Sequence, residues 1–249
     1  MSENTNLSGK TALVTGGSRG IGAGIARSLA AQGATVAVTY WSSADAALAV
    51  VAEIEANGGK AMALRANNSD ADAARKGVRD AVDALGSLDI IVNNAGGGWF
   101  EPFTETSDEH IEATLNLNVR GTIYATQEAL KHLPNGGRII TIGSVSAVTN
   151  PYPGSAIYGM SKAALVGFTK GLARDLGHRA ITANIIQPGP IDTDGNPADG
   201  ESGDLLIELT ALKRFGTTAD VGALVAWVAS DAANFMTGSV ITSDGGWTA

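Results

Sequence analysis

Three observations in the sequence predict a doubly wound α/β domain, a parallel sheet flanked by helices on both faces. Apolar, β-rich runs alternate with alanine-rich stretches of helical period. Runs such as 89–92 and 138–142 are nearly continuous in apolar residues, as expected of strands covered on both faces. Glycines gather where these runs end. With 249 residues and neither a linker-like segment nor a short repeat, 1–249 reads as one domain with ample core.

In chain order, strands are expected at 11–15, 35–40, 61–66, 88–92, 137–142, 182–186 and 239–242, and helices at 22–32, 44–56, 71–85, 109–133, 157–176 and 219–230. The Asn57-Gly58-Gly59 cluster closes the second helix, as glycine does at helix ends. The segment 188–203, PGPIDTDGNPADGESG, breaks the alternation. It is long, polar and rich in Gly and Pro, and it follows a strand end, where ligands of such sheets bind.

The 17 basic and 25 acidic side chains leave a net charge of −8, unsuited to nucleic acid or an anionic membrane surface. No cysteine is present, which excludes disulfides, thiolate metal sites and a cysteine nucleophile. The polar start, 1–10, lacks signal-peptide character, and no run approaches the roughly 20 apolar residues of a membrane span; a cytoplasmic protein is expected. His110, His132 and His178 are scattered without metal-ligand spacing, and the acidic residues of 192–204 lack a calcium-loop register, so no metal is expected.

Thr15-Gly-Gly-Ser-Arg-Gly-Ile-Gly22 lies between the first strand and the first helix. Glycine there permits positive φ and close backbone approach, and a helix N-terminus favours a pyrophosphate. The second strand ends Thr39-Tyr-Trp-Ser-Ser43 without the carboxylate that would accept from an NAD ribose. With Arg19 in the turn as a fork for phosphate, this favours NADP(H) over NAD(H).

Tyr158-Gly-Met-Ser-Lys162 places a phenol and an ammonium on one helix face. A free Tyr has a pKa of about 10, and a nearby fixed cation favours its phenolate. Ser144 ends a strand, where its hydroxyl is placed to hold a carbonyl oxygen; Asn93-Asn-Ala-Gly96 ends the preceding strand, and Asn118 lies in the helix between.

These residues together resemble the short-chain dehydrogenase/reductase family. Its TGxxxGxG turn matches Thr15 to Gly22, its NNAG Asn93 to Gly96, its NxxG Asn118 to Gly121, its serine Ser144, its YxxxK Tyr158 to Lys162 and its PG Pro188-Gly189. The resemblance covers almost the whole chain and implies a Rossmann-type sheet. It also implies Tyr158 as general acid, Lys162 as the group that lowers its pKa and binds the nicotinamide ribose, Ser144 as the residue that orients the carbonyl, and Asn118 in a proton relay through water. Gly16, Ser18, Arg19, Gly20, Ile21, Gly22, Tyr40, Ser42, Asn67, Asn68, Asn94, Ala95, Gly96, Pro188, Gly189, Ile191 and Thr193 are expected around the cofactor, alongside Tyr158 and Lys162. A mobile substrate lid is expected at about 189–214.

Two departures from the family pattern matter. Asn67-Asn68 stands where an Asp commonly contacts adenine, its amide oxygen serving as acceptor. The Ser-to-Tyr interval is one residue longer than usual, leaving Ser146 as an alternative to Ser144. Trp99, Ser146 and Tyr152 are candidates for the substrate pocket, the aromatics favouring a bulky or aryl ketone.

The function expected is NADPH-dependent reduction of a small ketone or ketoester. A 3-oxoacyl carrier-protein substrate ranks lower, because Arg179 matches one basic docking position but Asn135 replaces the other. A different class is a nucleotide-binding regulator: Gln187 to Asp194 with Asn196-Pro-Ala198 resembles a subgroup associated with cyclic-di-GMP. The segments Gly177 to Asn184 and Asp244 to Trp247 resemble regions of tetramer assembly, so a homotetramer is expected.

Overall fold

The computed structural model describes residues 5–249; Met1–Asn4, part of the polar start weighed against a signal peptide, lie outside the described residues. Seven strands form one parallel sheet in the order β3-β2-β1-β4-β5-β6-β7. They are β1 Thr11–Val14, β2 Thr35–Tyr40, β3 Lys60–Arg65, β4 Ile90–Asn93, β5 Arg138–Ile142, β6 Thr182–Pro188 and β7 Val240–Ser243. The chain builds outward from β1 to β3 and returns to lay β4 on the other side of β1. That reversal opens a crevice at the carboxyl ends of the strands, the usual ligand position in such sheets.

Strand residues alternate between two cores. Ala12, Val14, Val36 and Val38 pack with helices α1 (Gly20–Ala31), α2 (Ala44–Ala56) and α8 (Thr218–Ala229). Leu13, Ala37, Ile91 and Ile139 pack with α3 (Ala71–Leu85), α5 (Gly121–Ala129) and α6 (Ala156–Leu176) on the other face. β1 is buried along its whole length, which explains the apolar run Ala12-Leu-Val14 that follows Thr11.

Two expected elements differ. The helix expected over 109–133 is divided into α4 (Asp108–Leu115), a π-helical turn Asn116–Arg120, and α5. No Pro or Gly signals the turn in advance. Asn118 lies inside it, fully buried and held by partners from outside the helix, so tertiary bonds offset the local irregularity. The long polar segment after β6 is ordered into a tight turn at Thr193 and Asn196 and a short helix α7 (Gly203–Glu208).

Gly121 shows how closely α5 approaches the turn after β3: a Cβ built there would lie 2.0 Å from the Asn68 carbonyl oxygen. Gly121→Ala is expected to lower stability by about 1–3 kcal/mol, the usual cost of overpacking. Urea midpoints measure this; an unchanged midpoint would show that the backbone yields freely.

Candidate active site

The crevice is a cleft of about 700 Å³ running from the end of β3 to the first turn of α6. Its floor is the glycine-rich turn. Gly16 and Gly20 adopt φ of +65° and +53°, and a Cβ on Gly16 would stand 2.9 Å from Ala95 Cα. α1 then begins at Gly20. Its N-cap Arg19 makes no capping bond and its first turn carries no acidic residue, so helix-end N–H groups are left for a ligand. Ser18, Ile21 and Gly22 also line the cleft.

The turn is locked to the end of β4. Thr15 Oγ1 accepts from the N–H groups of Asn94 and Ala95, both at 3.0 Å. Asn94 Nδ2 donates to the carbonyls of Thr15 at 2.9 Å and Gly16 at 3.0 Å. From the other side, Thr39 Oγ1 accepts from Gly16 N at 3.1 Å. The side chains of Thr15 and Thr39 were not among the expected site residues, although the first opens the glycine motif.

At the outer end lie Tyr40, Ser42, Asn67 and Asn68, with no carboxylate. Asn67 Oδ1 accepts from Ser69 N at 3.0 Å, so the acceptor expected to serve adenine already braces its own turn, leaving the amide NH₂ as the uncommitted end. Strand pairing sets Arg65 beside Tyr40. Its guanidinium lies over the Trp41 ring at 4.6 Å, and its Nε donates to Trp41 O at 3.2 Å. Neither Arg19 nor Arg65 forms an ion pair among the described residues. Arg65 was missed because only β2–β3 register brings it here.

At the inner end, Tyr158 and Lys162 stand one turn apart on α6. Lys162 Nζ donates to Ile142 O at 3.0 Å and lies 5.7 Å from the Tyr158 ring centre. Ser144 caps the turn after β5 and its hydroxyl lies beside the Tyr158 phenol. Ser144 Oγ accepts from Ser146 N at 3.1 Å, leaving the Ser144 proton free to donate elsewhere.

Asn118 is fully committed: Oδ1 accepts from Gly97 N at 2.9 Å, while Nδ2 donates to Gly97 O and Ser161 Oγ, both at 2.8 Å. Its side chain therefore positions the 96–97 backbone. A Cβ on Gly96 would come within 3.0 Å of Lys162 Nζ and 3.1 Å of Asn118 Oδ1, so only glycine leaves this corner open.

Burial governs both ionisable groups. It pushes the Tyr158 phenol above its ordinary value, with the Ser144 hydroxyl partly offsetting it, and pushes Lys162 down to about 8. Desolvation is the leading influence on the phenol. A phenol so held stays protonated near neutrality, as an acid must.

At the inner end of the cleft Phe100, rather than the expected Trp99, packs against Tyr158, with ring centres 5.2 Å apart. Trp99 instead stacks on His110 at 4.5 Å, because adjacent residues in this extended segment face opposite ways. Ser146 and Tyr152 lie beside the Ser144–Tyr158 pair. Thr193 approaches Gly20 and lines the cleft together with Asp194, Gly195 and Asn196, which were not expected there. Pro188, Gly189 and Ile191, expected around the cofactor, lie outside the lining: Gly189 N donates to Ser243 O at 3.0 Å, and Ile191 bridges Gly216.

Uncapped helix-end donors, cationic Arg19, and the glycine-lined approaches at 16 and 96 fit a dinucleotide along the cleft. No cluster of three metal-ligating side chains occurs among the described residues. No helix among them is long and apolar enough to cross a membrane.

The fold and site define an oxidoreductase of the dinucleotide-binding α/β class. The family model for enoyl-(acyl carrier protein) reductase matches residues 16–248, and the chain belongs to the short-chain dehydrogenase/reductase family. The cyclic-di-GMP-binding biofilm dispersal mediator protein of Escherichia coli K12 is 45% identical over 239 residues, covering 96% of this chain and 97% of its own. A dehydrogenase/reductase from Sinorhizobium meliloti 1021 superposes with a TM-score of 0.97 at 51% identity, over 99% of this chain and 98% of its own. A short-chain dehydrogenase from Burkholderia cenocepacia J2315, solved with NADP, gives 0.96 at 50% identity over 98% and 100%.

Because burial depresses Lys162, the folded chain releases this proton before the unfolded chain does. Stability should therefore rise as pH passes from about 8 toward the ordinary lysine value of 10.5. Tyr158, raised on folding, opposes this only near pH 10 and above. Urea unfolding of the ligand-free protein is expected to gain up to about 1.4 kcal/mol per pH unit between pH 8 and 10 from this group, and Lys162→Met to lose that gain. Equal pH slopes for the two proteins would count against it.

Proposed function

We propose that the protein is an NADPH-dependent carbonyl reductase that converts a ketone or ketoester to a secondary alcohol, reversibly. The convergence of Ser144, Tyr158 and Lys162 at the inner end of a dinucleotide-sized cleft carries this reading. Bound NADPH supplies the hydride. Ser144 donates to the carbonyl oxygen with the proton that its bond from Ser146 N leaves free. Tyr158 delivers its phenolic proton to the same oxygen, and Lys162, fixed on Ile142 O, steadies the phenolate that results. Asn118 acts by holding Gly97 and Ser161 in place.

Arg19 in the glycine-rich turn, Arg65 beside Tyr40 and the absence of a carboxylate among the lining residues after β2 support NADP(H) over NAD(H), as does the NADP held by the Burkholderia relative. Phe100 on the substrate side supports a bulky or aryl ketone. A carrier-protein substrate is less well supported: the Arg179 guanidinium is occupied by the carbonyls of Leu130 and Leu133 and by Asn135. We read 1–249 as one catalytic domain with its lid at 189–214. A cytoplasmic homotetramer is the expected form, with exposed Trp227 and Val240 offering apolar surface to an assembly.

The Escherichia coli relative's name supports a second reading, a regulator that binds cyclic-di-GMP. One experiment addresses both. Tyr158→Phe should lower kcat by about 10²–10⁴ while calorimetry shows NADPH binding intact. Retained turnover would refute the assigned chemistry, and tight binding of cyclic-di-GMP in place of NADPH would favour the regulator.

Replacing Arg19 by Ala should raise KM for NADPH about ten- to a hundredfold and change that for NADH far less. A parallel loss with both cofactors would defeat the phosphate assignment.

A further inference from the structure

Phe100 packs on the Tyr158 ring from a segment with no ladder of its own. Residues 94–102 belong to neither helix nor strand, so side chains have to fix where the Phe100 ring stands. The two residues that flank it in the chain grip one imidazole. Trp99 stacks on His110 with ring centres 4.5 Å apart and planes 12° apart, and His110 Nδ1 lies 2.7 Å from Glu101 Oε1. A carboxylate only accepts, so Nδ1 carries a proton and donates it to Glu101. Successive side chains of extended backbone point to opposite sides. With Trp99 and Glu101 turned to His110, Phe100 is turned the other way, to the Tyr158 ring at 5.2 Å and into the lining of the cleft.

The imidazole is itself held in place. His110 stands in the first turn of α4, where its N–H donates to the Ser107 cap at 3.2 Å, and α4 packs on α6, the helix that carries Tyr158. The loop before α6 closes against the same segment: Glu101 N donates to Gly154 O at 3.0 Å, and Gly154 takes a φ of +94° with a built Cβ only 3.2 Å from Glu101 N. Phe100 nonetheless stays 60% exposed. It offers apolar surface beside the Tyr158 ring, which an apolar substrate group would take out of water.

We propose that His110 is a positioning residue for the substrate: by clamping Trp99 and Glu101 it holds Phe100 as the wall against which an aryl group of the ketone packs. This rests on the reductase function proposed above and names what sets its substrate class. His110 acts on the reaction through Phe100.

The test compares acetophenone with 2-butanone, methyl ketones that differ in the aryl group, at saturating NADPH. The native protein should favour acetophenone by about tenfold or more in kcat/KM. His110→Ala should lower that ratio by about fivefold or more, the loss falling on KM for acetophenone. Glu101→Gln, which keeps an acceptor for the Nδ1 proton, should hold the ratio within about twofold, whereas Glu101→Ala should lower it. In a Phe100→Ala background the wall is gone, and adding His110→Ala should change the ratio by less than about twofold. Urea midpoints check that each variant is folded, and Glu101→Ala carries the test if His110→Ala is not. A merely structural role would slow both ketones alike. No preference in the native protein, a ratio that survives His110→Ala and Glu101→Ala, or an equal loss in the Phe100→Ala background overturns the clamp. Absence of turnover with every ketone, while NADPH still binds, overturns the reductase function itself.

Discussion

Where β1 and β4 part company, the backbone loses its ladder partners, and the bonds between Thr15 and Asn94 replace them. One hydroxyl takes two N–H groups, and one amide serves two carbonyls. Buried peptide groups left unpaired there would cost free energy comparable to the hydrogen bonds they lack. The order imposed at this junction passes onward. Asn94 leads to Gly96 and Gly97, Gly97 is gripped by Asn118, and Asn118 reaches Ser161 on the helix that carries Tyr158 and Lys162. The glycine-rich floor of the cleft and the helix that carries Tyr158 and Lys162 are thus parts of one hydrogen-bonded frame.

The cleft is electrically divided. Its outer corner holds exposed guanidinium groups, suited to phosphate in contact with water, within a protein whose net charge is −8. At its inner end burial raises the Tyr158 phenol and depresses the Lys162 ammonium. Burial thus places the charged forms of both groups at a disadvantage, as the proposed role of Tyr158 as an acid requires.

Much of the site was legible because its elements are local. The four-residue interval from Tyr158 to Lys162 specifies a shared helix face without reference to the rest of the chain, and the glycines of 16–22 announce a turn that other residues would obstruct. The π-helical turn at Asn118 was not legible, since its irregularity is stabilised by Gly97 and Ser161 from elsewhere in the fold. Arg65 reached the adenosine corner through strand register, and Phe100 displaced Trp99 through the direction of an irregular segment. Neither leaves a periodic trace in sequence.

By itself the sequence determined the layered α/β architecture, the strand and helix alternation and the glycine turn, because periodicity and short spacing act over a few residues, whereas the roles expected of Ser144, Tyr158 and Lys162 came from the family resemblance. Tertiary structure decided which side chains remain available. It engaged the Asn67 side-chain oxygen in a local turn, committed every polar hydrogen of the Asn118 amide, and brought Thr193 of the 188–203 segment to Gly20. Hydrogen-bond capacity is shared among groups distant in sequence, so only the packed chain shows what is left for a ligand.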